Sequence, residues 1–147
     1  MTRARRKDHR HRAREAALQI LYQWDVGRGE IDHAAETFFT RQWPDADPPP
    51  EALRGFASAL ARDTAGRIET IDPLIAETAA RWRPERMPVL DRLILRMAVC
   101  EMMRDAATPA AVVINEALEL ARTFSTEESV KFINGMLDAI RKKIEAK

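Results

Sequence analysis

Between Arg10 and Trp24 a run of cations passes without a break into an apolar helical stripe. Ala17, Ile20, Leu21 and Trp24 recur at i, i+3, i+4 and i+7, a spacing that gathers side chains on one face of an α-helix. The same period returns through the rest of the chain. Leu53, Phe56, Ala57, Leu60, Ala61, Thr64, Ile68 and Ile71 form one stripe from about Glu51. Val89, Leu90, Leu93, Ile94, Met97, Ala98, Met102 and Met103 form a broad one after Pro88. Val113, Ala117, Leu120, Ala121 and Phe124 line a third helix, and Phe132, Ile133, Met136, Leu137, Ile140 and Ile144 a fourth. No stretch alternates as a strand does, and no repeat of solenoid length stands out. An all-α fold of about seven helices is expected.

The breakers divide these stripes. The first helix should run from about Arg10 to Val26 and stop at Gly27-Arg28-Gly29, and Asp32 should N-cap a short helix reaching Phe38 and Phe39. Trp43-Pro44 closes it, and residues 44–50, rich in proline and aspartate, read as an exposed loop. Asp72 as N-cap and Pro73 at the first helical position should open a helix to about Arg81, ended by Arg83-Pro84. Pro88 and Thr108-Pro109 open the next two helices. Ser125 with Glu128 reads as the capping box of the last. Gly135, mid-helix, reads either as a point of close backbone approach or as tolerated weakness. The chain is expected to be a single domain, 1–147, with helical subdomains over about 10–82 and 85–147 and a flexible basic arm over 1–9.

Charge is distributed unevenly. Residues 1–14 hold seven Lys/Arg and one Asp, a balance of +6. The remaining 17 Lys/Arg face 22 Asp/Glu, a balance of −5, so a net charge of +1 hides a basic end on an acidic body. Such an end suits a polyanion at one place on the surface; a solubilising tail is the plainer reading. With one cysteine, Cys100, no internal disulfide is possible, and its apolar helical setting places it in a core in a reducing compartment. No apolar run approaches the roughly 20 residues that span a bilayer, and the start lacks the pattern of a secretory signal, so a cytoplasmic location is expected.

Catalytic constellations are missing from the sequence. There is no Gly-rich phosphate loop, no Gly-x-Ser-x-Gly and no second cysteine for a redox pair. His9, His11 and His33 are the only histidines, and the arginines around the first two oppose a metal ion. No cofactor, metal or enzymatic activity is expected.

Three stretches are recognisable. Val113-Ile114-Asn115-Glu116-Ala117-Leu118-Glu119-Leu120-Ala121, followed by Phe124, Glu128-Ser129 and Lys131-Phe132-Ile133-Asn134-Gly135-Met136-Leu137-Asp138, resembles the NusB family of bacterial transcription antitermination factors. Arg12-Ala13-Arg14-Glu15-Ala16-Ala17-Leu18-Gln19-Ile20-Leu21-Tyr22-Gln23-Trp24 is similar to the family's arginine-rich first helix. Leu90-Asp91-Arg92-Leu93-Ile94-Leu95-Arg96-Met97-Ala98 with Glu101 is similar to its central helix. The matches follow in order over nearly the whole chain. Residues 28–70 are the least diagnostic, and the Lys131–Asp138 string is the most specific.

This resemblance implies an all-helical fold of two packed subdomains and a non-catalytic role. Proteins of the family bind boxA, a short single-stranded RNA element of nascent transcripts, chiefly ribosomal RNA leaders. They do so with NusE, a small-subunit ribosomal protein, and join RNA polymerase with other Nus factors, so that premature termination is resisted. By resemblance, Arg10, His11, Arg12 and Arg14 match the basic RNA-contacting start, with His11 where an arginine is common. Glu128, Lys131 and Phe132 match positions near RNA at the start of the last helix, Glu128 replacing a frequent aspartate. Tyr22 and Asp91 match positions implicated in the partner or RNA surface and, with Glu101, are expected to bind the partner; Asn115 and Glu116 belong to the signature without an assigned role. Each has a plainer reading: Phe132 and Tyr22 as core, Asp91 as a cap or a partner of Arg92, Lys131 as a solvated charge. Two other functions compete. One is a fragment of an RNA cytosine methyltransferase, which would need a Rossmann-like segment beyond Lys147; the other is a basic helical adaptor without sequence preference. A homodimer through apolar helix faces is left open, and it would be autoinhibitory if it covered the arginines.

Overall fold

The computed structural model describes residues 3–79, 83–105 and 107–146, and within these the side chains of all but residues 3–8 and 84. Seven α-helices occur among the described residues, and no strand. Contacts divide the chain into two compact units, Met1–Ala65 and Gly66–Lys147.

The first unit begins with α1, Arg3–Gly27. The basic segment is thus helical from Arg3, where a flexible arm over 1–9 was expected; Met1 and Thr2 lie outside the described residues. Arginine, lysine and alanine are strong helix formers, and no glycine or proline interrupts residues 3–26. One face of α1 buries Ala13, Ala16, Ala17, Ile20 and Leu21, as the stripe predicts. The helix ends at Arg28, whose N–H donates to the Trp24 carbonyl at 2.8 Å with φ at 55°. An arginine therefore occupies the left-handed position where glycine is favoured.

α2, Ile31–Thr37, packs on α1 and continues into a π-helical turn, Phe38–Gln42, that buries Phe38 and Phe39. Its N-cap is Glu30, which makes no side-chain cap bond, in place of the expected Asp32. Asp32 lies in the first turn and accepts a hydrogen bond from Arg62 Nε at 2.8 Å. Trp43 takes an extended conformation and closes the turn. Its ring centroid lies 6.4 Å from that of Phe38 and 5.8 Å from that of Phe39, and its Nε1–H donates to the Asp47 carbonyl at 3.0 Å. The indole thereby fixes the start of the loop over 44–50, which is non-helical as expected.

α3, Glu51–Gly66, buries Leu53, Ala57, Leu60, Ala61 and Thr64. The expected stripe does not run on as one helix to Ile71. The backbone breaks at Arg67 (φ −119°, ψ 17°), directly after Gly66, and α4, Ile68–Thr78, starts there. Asp72-Pro73, expected to open a helix, lies inside α4. Proline there gives up one helical hydrogen bond. Asp72 is held from elsewhere: it accepts from Arg96 Nε at 2.8 Å and Nη2 at 2.7 Å, a bidentate pair tying α4 to the central helix. α4 ends at Thr78, with Ala79 extended, short of the expected end near Arg81, which itself lies outside the described residues.

After a 3-10 turn, Pro84–Arg86, the second unit continues with α5, Val89–Arg104, α6, Ala110–Phe124, and α7, Glu127–Glu145. α5 packs against α4, α6 and α7, and its residues 93–101 are all buried. Cys100 is among them, as expected. Pro88 and Pro109 stand at the N-caps of α5 and α6. Because α4 packs on α5 and α7, the units divide after residue 65, ahead of the break expected at 82–85.

The N-cap of α7 is Thr126, one residue after the expected Ser125; its hydroxyl oxygen accepts from the Ser129 N–H at 3.1 Å. Ser125 is drawn off by Asp91. Gly135 is exposed, and a Cβ built there meets nothing within 4 Å, so the glycine reflects tolerated weakness and not close backbone approach. No helix among the described residues is long and apolar enough to cross a membrane.

Candidate nucleic-acid interface

In the first unit, aromatic rings seat the arginines of α1. The Arg10 guanidinium lies 4.2 Å from the centroid of the Phe56 ring of α3, and that of Arg14, one turn on, 5.4 Å from the same ring. The i, i+4 spacing thus puts both on one face, as the sequence suggests. Their exposure differs. Arg10 is exposed, whereas Arg14 is only 5% exposed, which corrects its expected role as an RNA contact. The helix turns Arg14 inward against Phe56, and its charge helps to hold α1 on α3.

Arg12 points elsewhere. Its guanidinium lies 4.7 Å from the Trp43 ring centroid, and its Nη2 is 2.6 Å from Asp45 Oδ2 in the loop. The side chains of Arg12 and Asp45 are 38% and 47% exposed. His11 sits partly exposed with Nε2 2.8 Å from Glu15 Oε1. A fourth guanidinium, that of Arg54, lies 5.3 Å from the Phe39 ring centroid. A cation over an aromatic face contributes about 0.5–1 kcal/mol at exposed sites and restricts a side chain that would otherwise sample many rotamers. Farther along α1, Tyr22 and Val26 are 44% and 62% exposed one turn apart, an apolar pair on the surface of the unit.

In the second unit the start of α7 presents Glu128, Lys131 and Phe132, at i, i+3 and i+4, all exposed. Phe132 is 43% exposed while its neighbour Ile133 is fully buried, so the ring lies outside the apolar stripe. Glu128 and Glu127 occupy the first turn, where the helix dipole favours anions.

Two expected surface residues are buried. Asp91 is 4% exposed in the first turn of α5, and its carboxylate accepts from Ser125 Oγ at 2.6 Å and Ser129 Oγ at 2.5 Å. Glu101, 2% exposed, lies on the same enclosed helix. Neither carboxylate reaches the surface of its unit, which corrects their expected place on a partner-binding surface. The reason is the packing of α5 by three helices. Among the described residues no group of three or more His, Cys, Asp or Glu is arranged to hold a metal ion.

Arg10 and Arg12 are legible in the sequence as part of a basic helix, and their ring seats are not. Phe56 carried a signal, being the only aromatic in the α3 stripe; Trp43 and Asp45 carried none beyond lying near a proline-rich loop. Val26 was legible as the residue one turn beyond Tyr22.

Residues 11–142 match the sequence model of the family described as the NusB family. The transcription antitermination protein NusB of Koribacter versatilis (strain Ellin345) is 46% identical over 137 residues, covering 93% of this chain and 91% of that protein. That of Solibacter usitatus (strain Ellin6076) is 46% identical over 135 residues, covering 92% and 90%. Among solved structures, T. maritima NusB superposes with a TM-score of 0.81 at 30% identity, covering 91% of each chain. A chain from a crystal structure of antitermination factors NusB and NusE in complex with dsRNA shares the fold, with a TM-score of 0.78 at 24% identity over 92% of this chain and 98% of that one.

Proposed function

The chain belongs to the NusB family, and from that premise we propose that it binds boxA-type single-stranded RNA of nascent transcripts together with NusE. In this reading it joins the RNA polymerase antitermination complex as a non-catalytic, cytoplasmic adaptor. The observation that carries the RNA half is the seating of the Arg10 and Arg12 guanidinium groups over Phe56 and Trp43. A guanidinium held over a ring keeps its N–H edge for a phosphate and has less rotamer freedom to lose on binding. Phe132 adds an exposed ring, and stacking on an unpaired base contributes about 1–3 kcal/mol. Lys131 supplies a further cation. Glu128 repels phosphates but accepts hydrogen bonds from base amino groups, a source of sequence preference. His11, beside Glu15, contributes charge to the arginine face only when protonated. Tyr22 with Val26 forms the patch proposed for NusE.

The test is binding of a boxA-type RNA and a scrambled control, with and without NusE, at two salt concentrations. Preference for boxA that strengthens with NusE is the expected result, and Arg10→Ala and Phe132→Ala should each weaken it. Equal binding of both RNAs that vanishes at moderate salt would leave only sequence-independent attraction to a basic helix.

A further inference from the structure

The buried hydrogen-bond cluster around Asp91 takes up three hydroxyl groups from one short stretch. Ser125 Oγ donates to Asp91 Oδ1 at 2.6 Å and Ser129 Oγ to Asp91 Oδ2 at 2.5 Å, distances usual for hydroxyl-to-carboxylate bonds. Thr126 Oγ1 bonds Ser129 Oγ at 3.1 Å while accepting from the Ser129 N–H at 3.1 Å. Ser125 also closes the end of α6, its N–H donating to the Ala121 carbonyl at 2.8 Å. One carboxylate in the first turn of α5 therefore joins the end of α6 to the start of α7. Helix capping alone accounts for Thr126 and the Ser129 N–H; it does not require a carboxylate from another helix.

The bracket lies on the inner side of the turn whose outer side carries the proposed RNA contacts. Ser129 is 8% exposed, while Glu128 before it and Lys131 and Phe132 after it face outward. We infer that Asp91 is a positioning residue for this surface: it fixes the rotation and start of α7 through Ser125 and Ser129, and so sets where Glu128, Lys131 and Phe132 point. This rests on the RNA reading given above. On this inference, substitutions at Asp91 act on binding through α7.

Asp91→Asn and Asp91→Leu in the full chain separate the bracket from the charge. The amide keeps two bonds, since its oxygen accepts from one serine and its NH2 donates to the other; the leucine, branched at the same atom but larger, keeps none. Binding of a boxA-type RNA is measured well below every variant's unfolding midpoint, which circular dichroism establishes. Asp91→Leu should weaken binding about tenfold and Asp91→Asn by less than about threefold, in keeping with the loss or retention of buried hydrogen bonds. Combined with Phe132→Ala, Asp91→Leu should lose clearly less than the product of the two single losses, because part of its effect is exerted through Phe132; combined with Arg10→Ala, whose residue lies in the other unit, the two losses should multiply. A purely structural loss would multiply with both. If Asp91→Leu does not fold, Ser129→Ala enters the same cycle, removing one hydroxyl and leaving the helix cap.

Asp91→Asn losing as much as Asp91→Leu, or losses that multiply with Phe132→Ala, would overturn the inference. So would loss of NusE binding with RNA binding intact, which would make Asp91 a partner contact. Arg10→Ala and Phe132→Ala each leaving RNA binding unchanged would instead remove the RNA reading beneath it.

Discussion

Asp45 competes for the cation that RNA would use. Its carboxylate lies 2.6 Å from Arg12 Nη2, on a loop held by the Trp43 indole, so a phosphate approaching Arg12 must displace it. The side chains are 38% and 47% exposed, and such pairs contribute about 0.2–1 kcal/mol after solvent screening. A factor of ten in affinity corresponds to about 1.4 kcal/mol, so removing the competitor should tighten RNA binding by roughly 1.4- to 5-fold. Asp45→Ala leaves Arg12 over Trp43, because the ring contact does not depend on the carboxylate. The released charge should also steepen the salt dependence, by up to about 0.7 in the slope of log K against log salt for one more phosphate on a single strand. Fluorescence anisotropy with a labelled boxA-type RNA at four salt concentrations reads both quantities. Binding unchanged or weakened at the lowest salt would refute the competition, since screening is least there. Asp47→Ala is the control: it removes a nearby charge while leaving the Asp47 carbonyl to accept from Trp43.

Stability changes of different origin should follow elsewhere. Arg96→Ala strips the bidentate partner from Asp72 in a setting where the two side chains are 9% and 24% exposed, and should cost about 3 kcal/mol by urea denaturation; a loss below about 1 kcal/mol would mean the pair is solvated. Arg28→Gly relieves the left-handed backbone and should raise stability by about 1 kcal/mol, with an unchanged or lowered melting temperature counting against the strain. Gly55→Ala, in the exposed middle of α3 with nothing within 4 Å of the added methyl, should gain a similar amount, about 1 kcal/mol. The carboxyl of Asp105 is held below its ordinary value, chiefly by the Thr108 hydroxyl and also by the Ala107 N–H, against the opposing effect of burial. Its contribution is therefore present above the unfolded aspartate value and is lost as pH falls through the lower folded value. Thr108→Val should flatten the acid limb of the stability-against-pH curve; an identical limb in both proteins would refute the assignment.

The helices themselves were legible because the 3.6-residue period is a statement about burial, and most of the residues it aligned are buried, Phe132 being the clear exception. Ala17, Ile20 and Leu21 are buried in α1, and Ile133, Met136, Leu137 and Ile140 in α7. Boundaries were less legible wherever a polar residue had two physical uses. Asp32, Asp72 and Ser125 each suit a helix cap, but each is claimed by a tertiary partner: Arg62, Arg96 and Asp91. Local sequence cannot rank a cap against a partner 30, 24 or 34 residues away. The stripe from Glu51 to Ile71 kept its period across Gly66 and Arg67, so the break between α3 and α4 left no mark in it. The same limit applies to the interface. The period counts Phe132 within the apolar stripe of the last helix, with base contact as the other reading, and its exposure takes it out of that stripe. Arg14, Asp91 and Glu101 carry charges that ordinarily mark a surface, yet the rotation of α1 and the enclosure of α5 bury them.

The ring seats of Arg10 and Arg12 also bear on how long a complex lasts. Lysines at these positions would keep the positive field that draws a polyanion in, so encounter with RNA would be as fast. A lysine offers one flexible ammonium in place of a planar fork stacked on a ring, so each phosphate would be released sooner. On the proposed RNA reading, the net charge of α1 would govern the arrival of RNA, and Phe56 and Trp43, two side chains that carry no charge at all, would slow its departure.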